Sequence, residues 1–302
     1  MRYLLALLFL TSALCPAQTA CGGMSGEVDG GGVDSANAVF SQIQQTTGFG
    51  SCDDSGCSAG TGHGTCWIEQ FQRYPSLTGS SAEIYDYSTS DNALFYKKLA
   101  PDNWDGRYNA VDSVVFYYSV KLDANAQSYA QALEFDAFQF YFDNQGGGNT
   151  CDCTIVNGHC QQNGPNYCYR YMVGTQCDTA NHNGGSFAHW DLWDTANGTW
   201  NNGLTSVDCH QLLDGNWHRV ILYATINHST KKYTFQTVQI DNGTPATLGS
   251  SFSAAGTNDH PNLGAQFQID LKSSAGETDG YHEWFDDVRL CTLDPHTNCP
   301  SQ

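Results

Sequence analysis

The sequence predicts an all-β protein: an antiparallel sandwich or barrel carrying long, disulfide-braced loops. Period-two alternation recurs along the chain. In 112–122, Val114, Phe116, Tyr118 and Val120 share one face, and in 265–271 Phe267, Ile269 and Leu271 oppose Gln266, Gln268 and Asp270. Clusters of Gly, Asn, Asp and Ser separate these runs, as turns separate antiparallel strands. Amphipathic helical stretches are scarce, and the best short candidate is 36–45.

Taken in order, residues 1–20 read as a secretory signal peptide. A positive charge at Arg2 precedes an apolar run from Leu4 to Leu14 and small residues at Ala17 and Ala20. The run is too short to span a bilayer as a helix. Neither Leu14 before Cys15 nor Gln18 three places before Cys21 makes a good lipobox, so secretion is expected over a lipid anchor. No later stretch reads as transmembrane. Residues 21–80 form a Gly/Ser-rich segment with cysteines; within it 22–64 reads as loop, fastened by Cys52, Cys57 and Cys66. Residues 81–302 are expected to be one domain, since all-β sandwiches often reach this size as single units. Its strands are expected at 83–87, 93–99, 112–122, 132–142, 187–193, 217–226, 233–241, 265–271 and 284–290. The stretch 144–186 carries five cysteines and many Gly and Asn residues. It reads as a long braced loop, either walling a groove or decorating the surface.

The chain has 13 cysteines, and removing Cys15 with the signal leaves 12, an even number that suits disulfides in an exported protein. Cys151, Cys153, Cys160, Cys168 and Cys177 with His159 resemble a zinc cluster in composition, but no CxxC pair is present, so disulfide stapling is preferred. A net charge of −19 disfavours nucleic acid and acidic polymers as partners. It suits a neutral ligand, and it also serves solubility alone.

The most informative stretch is 133–140. As a strand it puts Leu133, Phe135 and Ala137 on one face and Glu134, Asp136 and Phe138 on the other. Two carboxylates one strand repeat apart are costly unless they face water, a metal or a ligand, so a groove floor with a buried back is expected. In His189-Trp190-Asp191-Leu192-Trp193-Asp194, Trp190 and Leu192 face one way and Asp191 and Trp193 the other, which makes Trp193 the candidate aromatic platform for a sugar ring. Trp217 and Trp284 read as core. Carboxylates are suitable Ca²⁺ ligands, with Asp102-Asn103-Trp104-Asp105-Gly106 and Asp286-Asp287 as candidates, though no cofactor is required. No HExxH or phosphate-loop pattern occurs, leaving no support for a zinc protease or an NTPase. Asn197, Asn227 and Asn242 begin glycosylation triplets.

The order of several segments adds a resemblance. They are Asp91-Asn92-Ala93-Leu94-Phe95-Tyr96, Tyr117-Tyr118-Ser119-Val120, Glu134-Phe135-Asp136, Asp214-Gly215-Asn216-Trp217-His218-Arg219-Val220, Val238-Gln239-Ile240-Asp241 and Trp284-Phe285-Asp286-Asp287-Val288-Arg289-Leu290. Over residues 80–292 the chain resembles the concanavalin A-like lectin/glucanase superfamily, which implies a jelly roll of two stacked curved sheets. Within it, Glu134-x-Asp136 resembles the catalytic strand of laminarinase and lichenase-type glycosidases. The resemblance makes Glu134 the nucleophile and Asp136 its partner. It puts the acid/base at Phe138 or, with a bulge, at Gln139, and neither can protonate a leaving oxygen. Another carboxylate, such as Asp270 or Glu283, would have to reach in from a neighbouring strand.

These readings lead to a secreted protein that binds a neutral polysaccharide or oligosaccharide through Glu134, Asp136, Phe138, Gln139 and Trp193. Two alternatives stand beside it. One is a retaining β-glucan-type hydrolase using Glu134 and Asp136. The other is a structural surface protein without a glycan ligand.

Overall fold

The computed structural model describes residues 39–51, 57–59, 66–86, 93–99, 113–142, 153–156, 159–162, 168–179, 188–201, 207–227, 229–257, 264–271 and 280–292. Two sheets carry the fold. The first runs through β16 (Ala246–Ser253), β15 (Lys232–Ile240), β14 (His218–Asn227), β7 (Ser113–Leu122), β19 (Tyr281–Cys291), β5 (Ser81–Asp86), β4 (Cys66–Gln72) and β3 (Cys57–Ala59), with β1 (Val39–Phe40) also on β19. The second runs through β13 (Thr199–Asn201), β12 (His189–Asp194), β11 (Cys168–Asp178), β8 (Ala130–Phe142), β18 (Gly264–Leu271), β6 (Ala93–Lys98) and β2 (Gly50–Ser51), with β17 (Ala255–Thr257) beside β11. Pairing is antiparallel throughout, save for the short parallel β3–β4 pair. A separate hairpin joins β9 (Cys153–Val156) to β10 (His159–Gln162). This is an antiparallel β-sandwich, as the alternation predicts.

All nine expected strands form, and the alternation sets their buried faces. In β14, Val220, Leu222, Ala224 and Ile226 are buried while Ile221 and Tyr223 are half-buried on the other side. The two layers meet through aromatic rings: Phe267 of the second sheet lies 4.3 Å from Phe285 of the first, and Tyr171 meets Tyr233 edge-on at 6.3 Å. Ring pairs of this kind add about 0.5–1.5 kcal/mol beyond the area they bury.

Several expectations are corrected. Residues 39–45 are no helix: a two-residue strand on β19 is followed by a 3-10 turn at Ile43–Gln45. The stretch 144–186 is not only loop, because its residues 168–178 form β11, hydrogen-bonded directly to β8. Residues 39–59 likewise contribute β1, β2 and β3 to the sandwich. Trp284 is not core. It stands on the outer face of β19 opposite the buried side of Phe285, half-buried and stacked on His282 at 5.5 Å. Trp217 is also only half-buried. The outer face of this sheet carries an aromatic row, Trp67–Tyr85–His282, with Glu83 Oε1 2.5 Å from His282 Nδ1. Asn197, Asn227 and Asn242 are all exposed. Cys177 is bonded to Cys209, and Cys66 and Cys291 are also in disulfides. Residues 1–38, including Cys15 and Cys21, and the candidate at 102–106 lie outside the described residues. Among the described residues no helix is long and apolar enough to cross a membrane.

The turn before β14 gives a local prediction. His218 Nε2 lies 2.8 Å from Asp214 Oδ1 and its Nδ1 lies 2.8 Å from Asp241 Oδ2. Only an imidazolium can donate to both acids at once. Burial pushes the His218 pKa down, but the two carboxylates outweigh it and the net shift is upward from 6.5. Burial also pushes Asp214 up, yet His218 and the backbone of Asn216 bring it from 3.8 to about 2. A raised histidine stabilises the fold fully below its unfolded pKa, and that contribution is lost as pH rises through its folded pKa. Asp214 contributes above its unfolded pKa and loses that contribution as pH falls through about 2. An NMR titration should place His218 above 6.5 and move it down in Asp241→Asn; a titration below 6.5 would contradict the bridge.

Candidate functional site

The positions named from sequence lie on two strands of the second sheet, 134, 136, 138 and 139 on β8 and 193 on β12. Its strands show their apolar side inward through Trp190, Leu192, Cys177, Leu133, Phe267 and Ile269. Register then fixes what lies on the other side. Residue 134 pairs with Gln176 on β11 and Gln268 on β18, and Gln176 pairs onward with Asp191 on β12. One polar row therefore crosses four strands: Asp191, Gln176, Glu134, Gln268. A second row, one repeat along, runs His189, Asp178, Ala132, Asp270. Residue 136 pairs with Gly174 and Gln266.

A bulge in β8 alters the far end. Gly174 pairs with residue 136 and Met172 with residue 139, so two residues of β8 oppose Val173 alone. Phe140 then stands opposite core Tyr171, and position 139 returns to the face of position 134. Glu134, Asp136, Phe138 and Gln139 occupy these strand positions, and their side chains lie outside the described residues.

The described polar residues of this face are recessed. Asp178 and Asp191 are 0% exposed, while Gln268 and Gln266 reach 7% and 9%, so such solvent access as they have lies toward β18. Gln268 Nε2 donates to Asp270 Oδ1 at 2.9 Å, which fixes the amide's orientation. Trp190 is fully buried in the core, whereas Trp193 is half-buried and meets Trp200 edge-on at 5.1 Å. Tyr233 crosses between the layers to hold this corner: its hydroxyl donates to the Trp193 carbonyl at 2.6 Å and accepts from the Thr195 N–H at 3.0 Å.

The two acids named as replacements for the missing acid/base, Asp270 and Glu283, separate here. Asp270 is on β18, diagonal to residue 134 on the same face. Glu283 is on β19 of the other sheet, sharing the core-facing side of Tyr281 and Phe285, and is fully buried there. It therefore does not reach this face. Asp286, named from sequence as a Ca²⁺ candidate, is held by hydrogen bonds. Its carboxylate accepts from Gln44 Nε2, Ser76 Oγ, the Leu77 and Thr78 N–H groups, Thr78 Oγ1 and the Asp287 N–H, at 2.6–3.1 Å, so it is a loop anchor. Asp287 is engaged by Arg289.

The site also holds residues that the sequence did not single out. Asp178, His189 and Asp191, all buried, each offer a ligand atom within 4.8 Å of the others. The i, i+2 spacing of His189 and Asp191 was a visible signal. The approach of Asp178 depends on strand pairing, which was not.

No family model matches the chain, and no curated protein matches it. Solved structures similar in layering include an alginate lyase from Aplysia kurodai, 11% identical with a TM-score of 0.47 over 87% of this chain and 100% of that one. An endo-β-1,4-glucuronan lyase from Trichoderma reesei is 11% identical with a TM-score of 0.35, over 76% of this chain and 87% of that one. A carbohydrate esterase from the Shiga toxin-encoding bacteriophage phi24B is 10% identical with a TM-score of 0.37, over 87% and 100%. At these values the likenesses assign neither substrate nor chemistry to this chain.

Proposed function

We propose that this chain is a secreted carbohydrate-binding β-sandwich protein that takes a neutral glycan on the outward face of its second sheet. The observation that carries the reading is the polar row Asp191–Gln176–Glu134–Gln268, drawn by register across four hydrogen-bonded strands. Carboxylates accept from sugar hydroxyls, and amides both donate and accept. Asp191 and Gln176 are buried, so the described groups of this face nearest to solvent, and so to a sugar, are Gln268 and Gln266 on β18. Trp193 and Trp200, next to the row on β12 and β13, supply aromatic surface for the C–H face of a sugar. Glu134, Asp136, Gln139 and Trp193 are the binding residues in this reading, with Phe138 at the bulge. Catalysis is not needed for it.

The test is a neutral-glycan array followed by affinity electrophoresis of the full chain. Binding should weaken by about tenfold or more in Gln268→Ala, since losing one buried polar contact to a ligand typically removes about 1–3 kcal/mol. Absence of binding to every neutral glycan would retire the reading. Release of reducing sugar, abolished by Glu134→Gln, would replace it with the hydrolase.

A further inference from the structure

We infer that Asp178, His189 and Asp191 form a binding site for one divalent transition-metal ion of the Mn²⁺ or Zn²⁺ type, with Asp191 shared with the polar row of the second sheet. Strand geometry brings the three together. Asp178 and His189 are paired residues of β11 and β12, and Asp191 lies one strand repeat beyond His189 on the same face. All three are at most 3% exposed, and their ligand atoms lie within 4.8 Å of one another. His189 Nε2 and Asp191 Oδ1 are 3.1 Å apart. Donors about 2.0–2.2 Å from a common ion lie roughly 3 Å apart when cis on an octahedron and roughly 3.5 Å apart on a tetrahedron. The His189–Asp191 separation is compatible with either.

The donor set selects the ion. One imidazole nitrogen and two carboxylates suit zinc and manganese, whereas calcium takes oxygen ligands in larger numbers. The frame is braced. Cys177, next to Asp178, is bonded to Cys209, and His189 forms a β-bridge with Asp208. Both strands are thus tied to the 207–213 segment, which keeps the donors in place before an ion arrives. The competing account is a His189–Asp191 hydrogen bond with Asp178 beside it and no ion.

Metal-stripped full-length protein is titrated with MnCl₂, ZnCl₂ and CaCl₂ by calorimetry, with metal content measured after dialysis. One Mn²⁺ or Zn²⁺ per chain, with affinity about tenfold or more weaker in Asp191→Asn and in His189→Gln, supports the site. Binding that is absent, unchanged in a folded variant or confined to Ca²⁺ overturns it. Should both variants fail to fold, anomalous diffraction from wild-type crystals soaked in MnCl₂ or ZnCl₂ decides. A peak between the three side chains supports the site, and no peak, or a peak elsewhere only, overturns it.

Discussion

Asp286→Ala should destabilise the fold by about 2–4 kcal/mol, because it removes a fully buried acceptor on which several donors converge, the buried Gln44 amide among them. The Asp286 carboxylate gathers Ser76, Leu77 and Thr78 from the β4–β5 connection and Gln44 from the N-terminal 3-10 turn. It thereby joins three chain segments at one point. Asp286→Asn should not rescue, since an amide nitrogen would face donors. Burial raises this carboxyl's pKa, but the hydrogen bonds from Thr78, Ser76 and Leu77 prevail and hold it below 3.8. A depressed acid contributes fully above its unfolded pKa, and that contribution is lost as pH falls through the folded one. Urea denaturation across pH 2–7 should therefore show the gap between wild type and Asp286→Ala shrinking only on the acid side of roughly pH 4. A gap that is small at neutral pH, or unchanged in acid, would remove Asp286 from this role.

How legible the chain was depends on whether one face of each strand meets water. In β14 the buried and half-buried residues alternate without a break, and the sequence shows it. In β11, residues 171–178 are buried on both faces, so Tyr171-Met172-Val173-Gly174-Thr175-Gln176 offers no polar/apolar alternation to read. In β16 the burial alternates, but only Leu248 and Phe252 are buried, too few apolar residues to mark a strand. In β4, Phe71 at φ 62° breaks a pattern begun by Cys66 and Ile68. The site was legible within single strands, where i and i+2 share a face. It was hidden wherever it needed the neighbour: Gln176 and Gln268 beside position 134, or Asp178 beside His189. Trp284 was misjudged because alternation alone does not say which of two adjacent aromatics turns inward, and Phe285 took the interior.

Glu283→Leu should stabilise the protein, by about 1–3 kcal/mol near neutral pH. The side chain is fully buried between the sheets, and among the described residues neither carboxyl oxygen has a hydrogen-bond partner. Its surroundings are Ile84 and Leu122, paired with it across the strands, on a face shared with Tyr281 and Phe285. Burial first, and repulsion from Asp270 second, push its pKa well above 4.5, so it is held uncharged in the fold. Tyr118 and Tyr281 are likewise raised, chiefly by burial and then by Glu283. A raised acid contributes its full stability below the unfolded pKa. That stability is lost as pH rises from about 4.5 through the folded value, because the unfolded chain sheds its proton first. The loss proceeds at up to about 1.4 kcal/mol per pH unit. The advantage of Glu283→Leu over wild type should thus widen as pH increases, and Glu283→Gln should lose the same pH dependence while keeping the unsatisfied polar atoms. Paired unfolding curves from pH 4 to 9 decide it: a leucine variant less stable than wild type throughout, or a difference that ignores pH, would mean that Glu283 has a partner in the native interior.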